Sequence, residues 1–277
     1  MKCAWKELLS ILPATIRADV DKLGREDLQE IRLRLGQPTQ LICHGQTYSL
    51  SVISTPADLN FVINTASRYS PWAATTIAQG YITAPGGHRI GIAGEAVNRD
   101  GQVTGIKNYT GLCVRIARDF PDLAKSAVMP ADSLLILGPP GSGKTTFLRD
   151  LIRQISEMNT ISVIDERMEL FPPLSAFYPG KQVDVLSNCS KPHGIDMALR
   201  TLSPTWIAMD EITSEADCEA LIRAGWCGVK LLATAHASDI ADLLCRPVYR
   251  PLVQTRLFQA AVVLKPDKSW KLERIKL

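Results

Sequence analysis

A glycine-rich run from residue 138 to residue 145 carries the strongest chemical signal in the sequence. It reads Gly-Pro-Pro-Gly-Ser-Gly-Lys-Thr, follows an apolar run and opens an amphipathic stretch, which fits the phosphate-loop pattern GxxxxGK[ST]. Glycines let a backbone fold around phosphates, and the amides that follow point at the phosphate oxygens. The predicted nucleotide-binding residues are Gly138, Pro139, Pro140, Gly141, Ser142, Gly143, Lys144, Thr145 and Thr146.

Some side chains of this loop have specific predicted roles. Lys144 would bridge the β- and γ-phosphates of a nucleotide, and the hydroxyl of Thr145 would ligate Mg²⁺. Pro139 and Pro140 have no N–H group to donate, so we expect them to stiffen the entrance to the loop.

Two carboxylates, Asp210 and Glu211, follow the apolar run TWIAM. At the end of a strand near a phosphate loop, one carboxylate can hold Mg²⁺ through water, and the next can polarise a water molecule for attack on the γ-phosphate. We assign the first role to Asp210 and the second to Glu211. The alternative is a solvated strand end. It is disfavoured because the pair follows the phosphate loop along the chain, with another apolar run between the loop and the pair.

Two more polar groups follow apolar runs. Asp165, Glu166 and Glu169 lie in ISVIDERMEL, and Thr234 and His236 lie in LLATAHASD. A neutral imidazole at such a place can donate to a phosphate oxygen. A solvated acidic turn and a structural histidine would give the same patterns, but all the groups fall where a parallel sheet presents its ligand-binding edge.

The elements that must position these residues can be predicted from the sequence from residue 126 onward. Short, nearly continuous apolar runs alternate with helical patterns: SLLILG, TISVID, TWIAMD, VKLLAT and AAVVL are predicted strands, and residues 145–156 are predicted to form a helix. Strands that are apolar on both faces and joined by helices predict a mostly parallel sheet covered on both sides. The predicted fold class of this part is α/β.

The first part of the chain has a different pattern. A helix is predicted for residues 5–12 and another from Pro56 onward, and EIRLRLGQPTQLICHGQTYSL is typical of an antiparallel meander. GYITAPGGHRIGIAGEAV predicts strand, turn and strand, and LCVRIA another strand. We therefore predict a smaller α+β domain at 1–125 and the phosphate-loop domain at 126–277, with the boundary near Met129-Pro130.

Composition excludes several classes of protein. Of 277 residues, 46% are hydrophobic and 21% charged, which is typical of globular chains. The net charge of +3 lacks the basic excess of a dedicated nucleic-acid binder. Seven scattered cysteines without a CxxC pair argue against a disulfide framework or zinc knuckle, and no apolar run is long enough to span a membrane. We expect a soluble protein of a reducing compartment.

The order of these motifs resembles the secretion ATPase superfamily, the motors of type II and type IV secretion and pili: phosphate loop, IDERMEL, ALRTLSP, a strand ending in Asp-Glu, and TAHAS. GGHRIGIAGEAV and LILGPPGSGKTTFLRDL are similar to the stage III sporulation protein AA family of endospore-forming bacteria, and that resemblance covers nearly the whole chain. It implies a RecA-like P-loop NTPase core and Mg²⁺-dependent ATP hydrolysis by a hexameric ring. It also implies a cytoplasmic location in the mother cell, where the ATPase powers a secretion-like channel apparatus through a membrane-embedded protein partner.

The resemblance also assigns roles to single residues. Glu211 matches the catalytic glutamate, Glu169 the last acid of the acidic run and His236 the conserved histidine position of such motors. Arg89 and Arg115 match the arginines that such motors direct towards a neighbour's γ-phosphate. Arg200 in ALRTLSP matches a third position that acts in catalysis. Asp210 stands where such motors usually have glycine, which suggests an ordinary Mg²⁺ role for it.

Two other functions fit parts of the sequence. A nucleic-acid-dependent P-loop ATPase would share the motifs, but the near-neutral charge argues against it. A nucleotide-gated scaffold that assembles and barely hydrolyses ATP would need the phosphate loop but not the pair Asp210-Glu211.

Overall fold

The structure is a computed structural model that describes residues 1–24, 26–68, 73–125, 131–172 and 177–275. These residues form two compact units. The first comprises Met1–Asp119 with Pro172 and Phe177, and the second comprises Phe120–Phe171 and the chain from Tyr178 onward. The domain boundary predicted near Met129-Pro130 lies outside the described residues.

The first unit is built on an antiparallel sheet. Its described strands number six and have the order β3-β2-β1-β6-β5-β4. The elements are α1 (Trp5–Ile11), α2 (Ala14–Leu23), β1 (Leu28–Arg34), β2 (Pro38–Cys43), β3 (Gln46–Ile53), α3 (Pro56–Ser67), α4 (Ala73–Ala78), β4 (Tyr81–Thr83), β5 (Arg89–Arg99) and β6 (Gln102–Arg115). The predicted meander is β1 to β3, so the expected α+β class is confirmed.

Local sequence explains the main helix of this unit. Thr55 and Asp58 form a capping box, in which the N–H of Asp58 donates to the Thr55 hydroxyl and the Asp58 carboxylate accepts from the N–H of Thr55. Pro56 occupies the first turn, where a missing N–H costs nothing. Leu59 and Val62 are fully buried and fix the helix on the sheet.

A buried histidine ties the first residues of the chain to this sheet. The Nε2 atom of His88 lies 2.9 Å from the carbonyl oxygen of Ala4, and the N–H of Ala117 donates to Nδ1 at 3.2 Å. An acceptor on one side and a donor on the other select the neutral ring with its proton on Nε2. Burial lowers the pKa of His88 accordingly.

The second unit is an α/β layer structure, as predicted. Its described strands form a seven-stranded sheet of order β13-β12-β7-β11-β10-β8-β9, parallel except for the pair β12–β13. The elements are β7 (Leu134–Leu137), α5 (Lys144–Ile155), β8 (Ile161–Asp165), β9 (Val183–Ser187), α6 (Lys191–Thr201), β10 (Trp206–Met209), α7 (Glu215–Trp226), β11 (Lys230–Ala235), α8 (Ile240–Cys245), α9 (Arg250–Gln254), β12 (Ala260–Leu264) and β13 (Trp270–Arg274). In the described parts of the chain, no helix is long and apolar enough to cross a membrane.

The register of the parallel strands places their carboxyl ends side by side. Leu137 at the end of β7 pairs with Ala235 of β11, and Met209 at the end of β10 pairs with Ile164 of β8. The residues that come next in the chain are therefore delivered to one edge of the sheet.

The burial of His88 predicts a pH-dependent stability for the first unit. Because its folded pKa lies below the unfolded value, the unfolded chain binds more protons as the pH falls below about 6.5, and stability is lost. Between pH 7.5 and pH 5 we expect wild type to lose more unfolding free energy than His88→Gln, in urea titrations followed by circular dichroism. A variant His88→Gln with the wild-type slope would contradict the prediction.

Candidate functional site

The loop between β7 and α5 has a shape that only glycine permits at three positions. A Cβ atom on Gly138 would lie 2.5 Å from the Oγ of Ser142 and 2.9 Å from the carbonyl oxygen of Leu264. Gly141 and Gly143 have left-handed backbones, with φ of 73° and 99°. The loop therefore folds back tightly against the end of β12 before the helix begins.

The lysine of this loop is buried in the site. Lys144 is 7% exposed, and its ammonium group donates to the carbonyl oxygens of Gly138 at 2.9 Å and Pro139 at 3.0 Å. Burial lowers the pKa of Lys144, and the two nearby carboxylates oppose that shift. Pro139 thus contributes an acceptor to the site, in addition to the stiffness predicted for it.

The remaining predicted loop residues surround the start of α5. Pro140 is exposed, Ser142 is buried with its N–H donating to the carbonyl oxygen of Pro139 at 3.2 Å, and Thr146 lies in the first helical turn. No side chain of the described residues caps this helix. Its first-turn amides are therefore the kind of donors that bind anions at a helix N-terminus.

Asp210 joins the loop to the neighbouring strands. The hydroxyl of Thr145 donates to Oδ2 of Asp210 at 2.6 Å, and the hydroxyl of Thr234 donates to Oδ1 at 2.6 Å. The two residues predicted as Mg²⁺ ligands, Thr145 and Asp210, are thus in direct contact. Their oxygens are the hard ligands that Mg²⁺ prefers.

Glu211 stands on a backbone that L-residues rarely adopt. Its φ is 55°, and its N–H donates to the hydroxyl of Thr234 at 2.8 Å. The same hydroxyl that donates to Asp210 therefore accepts from Glu211, so Thr234 couples the two carboxylate residues.

A continuous chain of polar contacts runs through the site. The ammonium nitrogen of Lys144 lies 3.2 Å from Nδ1 of His236, whose Nε2 lies 3.0 Å from Oε1 of Glu211. Oε2 of Glu211 lies 3.1 Å from a guanidinium nitrogen of Arg167. A lysine donor on Nδ1 and a carboxylate acceptor on Nε2 fit the neutral imidazole with its proton on Nε2. Both oxygens of the Glu211 carboxylate are thereby oriented.

Tyr249 stabilises the backbone of His236 in this series of polar contacts. It follows α8 in the 3₁₀ turn Pro247–Tyr249 and is 3% exposed. The main-chain N–H of His236 donates to the Tyr249 hydroxyl at 3.2 Å, and burial raises the pKa of that hydroxyl. The imidazole is thus attached to a backbone that is itself held in place.

The acidic run that begins with the last residue of β8 contains one structural carboxylate. Asp165 is 2% exposed and accepts from the N–H groups of Glu169 at 2.8 Å and Phe171 at 2.8 Å. Arg149 of α5 donates to the carbonyl oxygens of Leu170 at 2.6 Å and Glu169 at 2.9 Å. The turn is therefore fixed at both ends, and burial raises the pKa of Asp165.

The other acids of this run line a small cleft. Glu166 and Glu169 share it with Asp210 and Glu211. The buried ammonium of Lys191, in the first turn of α6, lies 2.6 Å from a carboxylate oxygen of Glu166 in the same cleft. The structure thus brings Glu169 to the carboxylates predicted to act in catalysis.

Arg200 lies at the other end of the same helix. It is exposed in the last turn of α6, whereas Lys191 is in the first turn. A rise of 1.5 Å per residue puts their Cα atoms about 14 Å apart. Within this unit, the structure does not bring Arg200 to the cleft.

The two N-terminal arginines are neighbours in the first unit. Arg89 of β5 and Arg115 of β6 are directly paired in register. The guanidinium of Arg89 lies 4.4 Å from the ring centroid of Tyr81, and Arg115 lies 3.8 Å from the carboxylate of Glu30. Their predicted role towards a γ-phosphate stays a prediction.

Four residues of the site were not singled out from the sequence: Arg167, Lys191, Tyr249 and Lys268. Arg167 lies inside the acidic run, so its closeness to Asp165 and Glu166 was a signal that could have found it. Lys191 and Tyr249 reach the site through elements with weak sequence patterns, β9–α6 and a 3₁₀ turn. The ammonium of Lys268 reaches the phosphate loop at the carbonyl oxygen of Gly141.

The chain matches the family described as "Sporulation stage III, protein AA" over residues 4–274. It is 32% identical to stage III sporulation protein AA of Bacillus subtilis (strain 168) over 284 aligned residues, which cover 95% of this chain and 92% of that protein.

Solved structures with the same fold include a pilus retraction motor and an ATPase. The pilus retraction motor PilT, solved with bound ADP, superposes with a TM-score of 0.64 at 18% identity. The match covers 95% of this chain and 82% of the PilT chain. The ATPase DotB of Legionella pneumophila gives a TM-score of 0.58 at 18% identity. The match covers 94% of this chain and 79% of the DotB chain. These likenesses confirm the predicted RecA-like core and the preceding domain with its antiparallel sheet.

Replacing Thr234 by valine should destabilise the second unit. Valine has the same shape but leaves Oδ1 of Asp210 and the N–H of Glu211 without their buried partner, which costs about 2 kcal/mol. Urea unfolding should show a lower midpoint with an unchanged slope. Thr234→Ser keeps the hydroxyl and should lose less than half as much. A loss in Thr234→Ser as large as that in Thr234→Val would contradict the assignment of the main contribution to the hydroxyl.

Proposed function

The chain belongs to the family of sporulation stage III, protein AA, and we propose that it is an ATPase that powers a secretion-like channel apparatus in the mother cell during endospore formation. One observation carries the proposal. A buried phosphate-loop lysine, a Thr-Asp pair and an oriented glutamate meet at one edge of a parallel sheet, with a histidine in contact with both the lysine and the glutamate. This is the set of groups that phosphoryl transfer to water needs.

The residues divide the chemistry among them. Lys144 and the first-turn amides of α5 would hold the β- and γ-phosphates of ATP. Glu211 would accept a proton from the water that attacks the γ-phosphate, and His236 would exchange the contact of its Nε2–H with Glu211 for one with a γ-phosphate oxygen. Because His236 lies between Lys144 and Glu211, it links the phosphate-binding group to the proton acceptor.

Mg²⁺ held by Thr145 and Asp210 would neutralise charge on the phosphates. The donor set fits this ion, since a threonine hydroxyl and a carboxylate oxygen are in contact beside the loop. Glu169 lies in the cleft with Asp210 and Glu211 and would add negative charge there, as the resemblance to secretion motors suggests.

The motor part of the proposal rests on the family and on the fold. Membership in a sporulation family supports a role in endospore formation. The fold shared with a pilus retraction motor supports the conversion of nucleotide turnover into movement between the two units. We propose a cytoplasmic hexameric ring that passes this movement to a membrane-embedded protein partner.

Substitution of the proposed proton acceptor should separate binding from turnover. Glu211→Gln keeps the size of the side chain but cannot take a proton, so ATP hydrolysis should fall at least 100-fold while ATP affinity stays within threefold of wild type. Lys144→Ala should lose both. The measurement is phosphate release per subunit, with affinity from a fluorescent ATP analogue, over a wide range of protein concentration.

Each outcome of that measurement has a distinct meaning. Unchanged turnover in Glu211→Gln would refute the assignment of Glu211. Tight ATP binding without turnover in wild type would favour the nucleotide-gated scaffold. Strong stimulation of turnover by single-stranded DNA, lost at high salt, would favour the nucleic-acid-dependent ATPase.

A mixing experiment tests the oligomeric part. If Arg115 completes the site of a neighbouring subunit, Arg115→Ala and Glu211→Gln should each be inactive, and their equimolar mixture should recover a substantial fraction of wild-type turnover. Recovery follows because a Glu211→Gln subunit still offers Arg115 to a neighbour with an intact Glu211. A mixture as inactive as its components would contradict a shared site, and Arg89→Ala in the same assay tests the second arginine.

A further inference from the structure

We propose that Lys268 is a second cationic ligand for the nucleotide, which binds the phosphates common to ADP and ATP from the side of the loop opposite Asp210 and Glu211. The inference rests on the proposed nucleotide-binding function and adds to it a residue outside every motif recognised in the sequence.

The turn that carries Lys268 is fixed beside the phosphate loop. Strand β12 runs parallel to β7, with Val263 paired to Leu137, so the ends of both strands lie at the same edge of the sheet. The main chain of Leu264 approaches Gly138 so closely that a Cβ there would lie 2.9 Å from the Leu264 carbonyl oxygen. The turn to β13 therefore begins in contact with the first residue of the loop.

The turn is also internally well defined. The N–H of Lys265 donates to the carbonyl oxygen of Ser269 at 2.9 Å, which closes it. The carboxylate of Asp267 accepts from the Ser269 N–H at 2.9 Å and from its hydroxyl at 2.6 Å. At the start of β13, Trp270 packs edge-on against Phe147 of α5, with ring centroids 5.5 Å apart. The backbone of this turn is thus fixed next to the loop and its helix.

The side chain of Lys268 lies along the phosphate loop. Its ammonium donates to the carbonyl oxygen of Gly141, and its Cδ lies 4.0 Å from the position that a Cβ of Gly143 would occupy. These are the two glycines whose left-handed backbones shape the loop. The charge of Lys268 is therefore presented to the part of the loop whose amides face a phosphate chain.

The backbone of Lys268 supports a role for the side chain. Its φ of 71° is in the left-handed region, where glycine or asparagine would be favoured. A lysine at such a position is not explained by the turn, which would be more easily formed with either of those residues.

The sheet order decides which phosphates Lys268 can reach. Glu211 and His236 follow β10 and β11, on one side of β7, whereas the turn with Lys268 follows β12, on the other side. A triphosphate with its γ end at Glu211 and His236 must leave the loop towards the opposite side. Lys268 would therefore contact the α- and β-phosphates, and its effect should be equal for ADP and ATP.

The test compares two lysines of the same turn. Lys268→Asn removes the charge and suits the left-handed backbone, so the fold should be at least as stable as wild type. We expect its affinities for Mg-ADP and for a non-hydrolysable Mg-ATP analogue to fall about tenfold each, the size of one charge-assisted contact, by isothermal titration calorimetry. Lys265→Asn removes the same charge from the exposed turn and should stay within twofold of wild type, and Lys268→Arg should retain most of the affinity.

The outcomes separate this inference from the proposed function. If wild type binds the nucleotides but Lys268→Asn binds them equally well, Lys268 is not a ligand and the proposed function stands. A loss confined to the ATP analogue would place Lys268 at the γ-phosphate, and an equal loss in Lys265→Asn would reduce the effect to the general charge of the turn. Either result overturns the inference. Failure of wild type to bind either nucleotide overturns the proposed function itself.

Discussion

The parallel register around β7 is the constraint on which the rest of the second unit depends. Thr234 of β11 pairs with Ile136 of β7, and Ala233 pairs with Met209 of β10, so Thr234 comes level with Asp210. The 2.6 Å contact between their side chains is a direct consequence of that pairing. A slip of one residue in any of these strands would turn the site side chains to the other face of the sheet.

Within that frame, the site is held together by hydrogen bonds that no single motif contains. The left-handed backbone of Glu211 costs about 1 kcal/mol, and the bond from its N–H to Thr234 offsets part of that cost. The carboxylate of this left-handed residue lies between His236 and Arg167. A buried lysine at the other end of this chain of contacts is tolerated because carbonyl oxygens and the imidazole satisfy its ammonium group.

The sequence predicted the core of this arrangement because its strands are short apolar runs that end in polar residues. It did not predict β9 and β13, whose residues Val-Asp-Val-Leu-Ser and Trp-Lys-Leu-Glu-Arg mix charges with apolar side chains. Both strands lie at the edges of the sheet, where one side of each strand is not paired within it and charged side chains are tolerated. Lys191, Tyr249 and Lys268 follow or flank weakly patterned elements, and their approach to the site depends on tertiary packing that one-dimensional patterns do not contain.

The two flanks of the phosphate loop have opposite chemical character, and this asymmetry follows from strand order. On the side of β11 and β10 the loop meets Asp210 and Glu211, which suit a metal ion and a water molecule. On the side of β12 it meets the turn from which the ammonium group of Lys268 reaches the loop, and a cation there suits an anionic group. A phosphate chain laid across the loop would therefore have only one favourable direction, with its reactive end towards the carboxylates. In the proposed complex, the orientation of the nucleotide would therefore follow from where the strands lie in the sheet.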